Sequence, residues 1–257
     1  MQSPALPPAF LRLPLAHRAL HDRAAGRPEN SRAAIRAAVA AGYGIEIDIQ
    51  LSADGAAMVF HDERLDRLTA ETGWVKDRTA ADLGAIRLLD AEDGIPTLAE
   101  VLEIVAGAVP LLIEVKDQTL TPDGRIGPLE AAIAKALTGY AGDVALMSFN
   151  PDAVAELARL CPATPRGITT GGYDYDGYAP LAPDLCDRLR EIPDFDRTGA
   201  SFISHEAADL SRPRVAALKS QGAHILCWTI RSAEAEATAR QIAENITFEG
   251  YLPPLPA

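Results

Sequence analysis

Residues Gly44–Gln50 read GIEIDIQ. Ile45, Ile47 and Ile49 alternate with Glu46 and Asp48, the period of two that sends successive strand side chains to opposite faces. The isoleucine face calls for a packed apolar layer, and the acidic face points to the inside of a barrel. Unpaired charges there are costly to bury. A divalent cation with oxygen ligands would neutralise them, and so would neighbouring Lys or Arg side chains; this stretch alone leaves both readings open.

Similar short β-rich runs recur along the chain. Strands are predicted at Leu13–Ala16, Gly44–Gln50, Ala57–Phe60, Leu111–Val115, Val144–Phe149, Pro165–Ile168, Phe202–Ser204 and Ile225–Ile230. Ala-rich helical stretches lie between them at Ser31–Ala41, Leu98–Ala106, Leu129–Leu137, Pro151–Leu160, Arg212–Gln221 and Ala233–Glu244. Strands alternating with helices mark a parallel sheet, and eight strands over 257 residues predict an α/β fold, a (β/α)8 TIM barrel, as one domain over residues 1–257. A doubly wound open sheet ranks second, because no glycine-rich turn follows the first strand. Asp62–Pro96 has a weaker pattern with a short helix at Ala80–Leu88, and reads as a small insertion after the strand ending at His61. Thr169–Asp184, rich in Gly, Tyr, Asp and Pro, reads as a long loop. Ahead of the helix at Ser31, Asn30 or Ser31 can cap the first-turn amides, and Gly42 ends it.

Composition narrows the function. Acidic side chains number 36 against 24 basic, a formal charge of −12, which argues against nucleic-acid binding and stable association with anionic membranes. A 48% hydrophobic and 23% charged chain supports a sizeable core and excludes wholesale disorder. Cys161, Cys186 and Cys227 have no metal-ligand spacing and fit a reducing compartment as buried apolar residues. The N-terminal stretch lacks an early positive charge and is broken by prolines, unlike a signal peptide or a spanning helix. A cytoplasmic protein is expected, with homo-oligomer formation left open.

In LLIEVKD, Glu114 and Lys116 share one strand face. If that face lines the same cavity, Glu114 completes a three-carboxylate set with Glu46 and Asp48, and Lys116 is a point charge suited to a phosphate oxygen. A plain Glu/Lys pair is the alternative. His17 and His61 each follow an apolar run, where barrel strands end and reactive groups sit; two imidazoles titrating near neutrality can act as base and acid. His21, His205 and His224 read as structural. Trp228, in ILCWTI, and Phe149, in SFNP, either pack against the carbon part of a substrate at the mouth or fill core. Tyr173, Tyr175 and Tyr178 read as a lid or as exposed loop residues.

Taken in order, AHRALHD with PENS, GIEIDIQLSADG, VFHDERLDRLT, GIPTLAEVLE, LLIEVKD, SFNP and ILCWTI resemble the glycerophosphodiester phosphodiesterase family over nearly the whole chain. The resemblance implies a (β/α)8 barrel using one divalent cation, Mg²⁺ or Ca²⁺, and a small phosphodiester as substrate. It implies His17 and His61 as the acid/base pair, and Arg18 and Lys116 as phosphate-binding cations. Glu46, Asp48 and Glu114 are the implied metal ligands, and 62–96 the family's insertion. Products would be glycerol 3-phosphate and an alcohol. The chain departs from the family pattern at Ala19, where Gly is common, at Arg231 and Ser232, where Asn is usual, and at ITFEGYLP, which replaces a Thr-Asp pair before a proline. Other readings are phospholipase D-like action on lysophospholipids, an aldolase or isomerase using Lys116, and a barrel that binds phosphodiesters without cleaving them.

Overall fold

The alternation at Gly44–Gln50 is realised as the second strand of a closed parallel barrel. The computed structural model describes residues 4–116, 126–179 and 181–256; Asp117 of LLIEVKD and Pro180 of the long loop lie outside them. Strands run β1 Leu15–Ala16, β2 Gly44–Leu51, β3 Ala57–Val59, β4 Leu111–Val115, β5 Val144–Ser148, β6 Arg166–Thr170, β7 Phe202–Glu206, β8 His224–Ile230 and β9 Asn245–Phe248. Parallel pairing proceeds β1-β2-β4-β5-β6-β7-β8-β9 and closes from β9 onto β1. Helices Arg32–Ala41, Leu98–Val105, Pro128–Leu137, Pro151–Leu160, Pro183–Arg190, Pro213–Ser220 and Ala233–Ala239 lie between successive barrel strands.

Two of the expected elements need correction. β3 is not a barrel stave: it folds back antiparallel on the upper part of β2, with Ile49 opposite Val59 and Leu51 opposite Ala57. The eighth stave is instead β9, which the sequence reading missed. Its inward positions are polar, with Asn245 and Thr247 fully buried, so it lacks a continuous apolar run. The long loop is shorter than expected at both ends: Thr169 and Thr170 belong to β6, and Pro183 and Asp184 open an unforeseen helix, Pro183–Arg190. Tyr173 is buried against Cys186 and Leu189, and Tyr178 packs beside it, so of the three loop tyrosines only Tyr175 is exposed.

Two apolar layers position the site. Ile45, Ile47 and Ile49 face outward and pack with Ile35, Val101 and Val105 of the surrounding helices. Inside, Leu15, Leu112, Met147, Phe202 and Leu226 fill the lower barrel, and Phe10 from the short N-terminal helix closes its floor. Asn245 fastens that plug by donating to the carbonyls of Phe10 and Leu13, each at 2.7 Å. Glu46, Asp48 and Glu114 share the inner face of β2 and β4, with Asp48 and Glu114 one inward position further along than Glu46 and Leu112. The segment after β3 has its own small core of Met58, Phe60, Leu65, Leu68, Val75 and Leu83, so it packs on the barrel as a folded insertion.

Candidate active site

Glu46 and Asp48 lie on the inner face of β2, and β4 brings Glu114 directly opposite Asp48 in register. One oxygen from each of the three carboxylates falls within 4.8 Å of the others, and the residues are 1%, 1% and 7% exposed. Lys116 reaches Asp48 at 3.0 Å and also contacts Glu114. Arg18 donates its backbone N–H to Glu46 at 2.9 Å, and its guanidinium stands 3.7 Å from Asp48. Asn30, in a left-handed conformation at φ 58°, gives its amide to Asp48 at 2.9 Å. Ser31 alone caps the helix, accepting from the Ala34 N–H.

The two readings of the acidic strand face are therefore both embodied: cations answer the acids, and the acids also converge. Burial raises the Asp48 carboxyl, but Lys116, His61 and Arg18 outweigh it and hold Asp48 ionised well below the usual carboxylate range. Lys116 is pushed up, because Asp48 and Glu114 outweigh its burial. Glu46 goes the other way, raised well above its ordinary value by burial and by repulsion from Asp48 and Glu114. Two cations thus leave a buried carboxylate uncompensated. An all-oxygen, negatively charged donor set in this state suits a hard divalent cation.

The structure brings both histidines to this cluster. His17 follows β1 directly, and its backbone N–H donates to the Phe248 carbonyl at 2.9 Å, which fixes it to β9. Its Nδ1 lies 2.6 Å from a Glu249 oxygen. His61 arrives by a route the sequence reading did not foresee, carried back toward the mouth on antiparallel β3 rather than standing at the end of a barrel strand. Its Nδ1 lies 2.6 Å from Asp62. With each Nδ1 engaged by a carboxylate, Nδ1 carries a proton whether the ring is neutral or charged, and Nε2 is the ring nitrogen left to give or take one. Burial pulls the His17 pKa below its ordinary 6.5, against the raising effect of Glu249.

His17, His61, Arg18, Lys116, Phe149 and Trp228 all line one cavity of about 180 Å³ with Glu46 and Glu114. Phe149 and Trp228 meet edge to face at 5.6 Å, and Trp228 donates its indole N–H to the Ser204 carbonyl at 3.0 Å. These rings form one wall, while Thr247 adds a buried hydroxyl with no protein partner. The other histidines are tied elsewhere: His205 bonds Thr170 and Asp209, and His224 bonds Glu244. His21 sits 3.7 Å from Glu249, beside the His17 pair.

Glu249, Asp62, Glu29 and Asn30 were not singled out for the site from the sequence. Asp62 had a local signal in its adjacency to His61. Glu249 had none, since it is 232 residues from the histidine it contacts.

The sequence model of the glycerophosphoryl diester phosphodiesterase family matches residues 17–245. A glycerophosphodiester phosphodiesterase of Caldanaerobacter subterraneus subsp. tengcongensis is 35% identical over 154 residues, covering 55% of this chain and 60% of the relative. One from Bacillus subtilis is 36% identical over 142 residues, 47% of either chain. Among solved structures, an Oleispira antarctica phosphodiesterase in complex with its product sn-glycerol 3-phosphate superposes with a TM-score of 0.74 at 23% identity, covering 92% of this chain and 93% of that one. The family match spans both histidines, all three carboxylates and every barrel strand but the first and last, so the chain belongs to the glycerophosphoryl diester phosphodiesterase family.

Proposed function

We propose that the protein hydrolyses glycerophosphodiesters to glycerol 3-phosphate and an alcohol, using His17 and His61 as acid and base and one divalent cation held by Glu46, Asp48 and Glu114. The observation that carries this reading is the convergence of three buried carboxylates with two carboxylate-backed imidazoles around a single cavity. Mg²⁺ or Ca²⁺ in that donor set would supply Lewis-acid polarisation of a phosphoryl oxygen. The remaining chemistry falls to the chain's own side chains.

Arg18 and Lys116 give charge-assisted hydrogen bonds to the nonbridging oxygens, where negative charge grows as the new P–O bond forms. His17, kept neutral by burial, accepts at Nε2 the proton of the attacking oxygen, from water or from the glycerol 2-hydroxyl. His61, protonated on both ring nitrogens with its Nδ1–H held by Asp62, donates from Nε2 to the departing alcohol oxygen as its P–O bond breaks. Attack by water gives glycerol 3-phosphate at once; attack by the hydroxyl gives a cyclic phosphate that water opens with the two roles exchanged. Phe149 and Trp228 pack against the glycerol carbons. Among the described residues no helix is long and apolar enough to cross a membrane, and the three unbridged cysteines support a cytoplasmic setting.

Glycerol 3-phosphate release from glycerophosphocholine, glycerophosphoethanolamine and glycerophosphoglycerol, with Mg²⁺, Ca²⁺ or chelator, tests the reading. Release that depends on the added cation is expected. Binding of the diesters without release under any condition would instead favour a non-catalytic barrel. Replacing either His17 or His61 by Ala should lower turnover by about 10² to 10⁴. A His61→Ala protein with undiminished turnover removes that residue from the mechanism.

A further inference from the structure

Arg67, from the insertion, touches neither the cavity nor the carboxylate cluster, yet it grips both sides of the site. Its Nε donates to Asp62 Oδ2 at 2.6 Å and its Nη2 to Asp62 Oδ1 at 2.9 Å, and Asp62 Oδ1 is the atom that holds His61. Its Nη1 donates to Glu29 Oε2 at 2.8 Å and its Nη2 to Glu29 Oε1 at 2.7 Å. Glu29 Oε1 in turn accepts from Arg18 Nη1 at 2.9 Å. One planar guanidinium therefore holds all four oxygens of two carboxylates, one orienting an imidazole and the other a cavity-lining arginine.

We propose that Arg67 is a positioning residue, locking the Asp62 carboxylate that orients His61 and the Glu29 carboxylate that orients Arg18 into one rigid frame. Its placement is built into the insertion: Leu65 and Leu68, on either side of it, are buried in the insertion's own core. The Leu65 N–H donates to the Gly73 carbonyl, and the Thr69 hydroxyl donates back to the Leu65 carbonyl at 3.0 Å. The insertion thereby acts on the chemistry from outside the cavity. A lysine cannot replace the fork, since an ammonium is a point charge without fixed planar geometry. Around His17 the arrangement is looser: Arg231 contacts only Oε1 of Glu249, leaving Oε2 to His17 and, at 3.7 Å, His21.

The role of Arg67 in turnover rests on the proposed function, and the test separates the two. Arg67→Met, Arg67→Lys, Asp62→Asn and the Arg67→Met/Asp62→Asn double variant are compared with the parent protein. Readouts are kcat and KM for glycerophosphocholine at saturating Mg²⁺, thermal midpoint, and the ¹⁵N shifts of the His61 ring in histidine-labelled protein. Arg67→Met is expected to lower kcat about 10- to 100-fold and to raise KM through Arg18, with Arg67→Lys recovering little of either. In the Asp62→Asn background the kcat loss should shrink, because the path through Asp62 is already cut and only the path through Glu29 and Arg18 remains. The His61 ring ¹⁵N shifts should change in Arg67→Met, because Asp62 Oδ1 is no longer held in place against Nδ1. Fully multiplicative kcat losses, or ring shifts identical to the parent's, overturn the proposal. A parent protein inert toward every diester defeats the proposed function alone, and the His61 ring shifts then still decide the role of Arg67.

Discussion

His17 sits under two opposing influences whose balance is visible in pH dependence. Burial lowers its pKa from 6.5, while the hydrogen bond to Glu249 raises it, and burial prevails. As the proposed base, His17 must be neutral to accept a proton, so the acid limb of kcat/KM is expected below pH 6.5; a limb well above that value would show His17 charged in the free protein. The sign for stability agrees: below 6.5 the unfolded chain protonates this residue more readily than the folded one, so its contribution to stability falls as pH drops through that window. Glu249→Gln removes the carboxylate that His17 and Arg231 share, and is expected to lower kcat about 10- to 100-fold, read by steady-state kinetics against an unchanged far-UV spectrum. At this scale Glu46, Asp48, Glu114 and Lys116 were legible because strand alternation fixes which side chains share a face. Glu249 and Glu29 were not, because an orienting carboxylate is defined by a contact that only the folded chain makes.

Elements were legible where burial leaves a simple apolar pattern and illegible where function or topology disturbs it. β2 and β4 carry branched residues on the outer face and were read directly. β3 has the same composition as a barrel strand, and nothing in AMVF distinguishes a hairpin partner from a stave; only its antiparallel register with β2 does so. β9 escaped notice because its inward residues are Asn245 and Thr247, one fastening the barrel floor and the other facing the cavity. Packing inside the barrel is close. A methyl group on Gly167 would overlap the ring of Phe202 on the neighbouring strand, and that ring is fully buried. Gly167→Ala should therefore cost about 1–3 kcal/mol, measured by urea denaturation; an unchanged midpoint would mean that the barrel interior yields. Truncating the floor plug, Phe10→Ala, should cost about 3–5 kcal/mol.

The molecule as a whole carries −12 charges and gathers its local exceptions at one end of the barrel. Arg18 and Lys116 supply positive charge next to a cluster still short of compensation, as the raised Glu46 carboxyl records. That group keeps its proton in the folded, cation-free protein above its ordinary 4.5, so it favours folding at low pH and loses that contribution as pH rises through its folded value. In the proposed reading, a cation held by Glu46, Asp48 and Glu114 would take over as the proton leaves. The stabilisation given by Mg²⁺ or Ca²⁺, about 2.7 kcal/mol at a hundredfold excess over Kd, should thus be larger at pH 8 than at pH 5. Glu46→Gln should flatten that difference in a thermal-shift titration, and a shift independent of pH in the parent protein would show that the carboxylates do not bind the ion. The most direct measurement is glycerol 3-phosphate release by chelator-treated protein, before and after adding Mg²⁺ or Ca²⁺, beside a Glu46→Gln/Asp48→Asn variant. Expected are no turnover after chelation, full recovery on adding the cation, and no recovery in the variant; undiminished turnover by the chelated parent protein would contradict a cation-dependent phosphodiesterase.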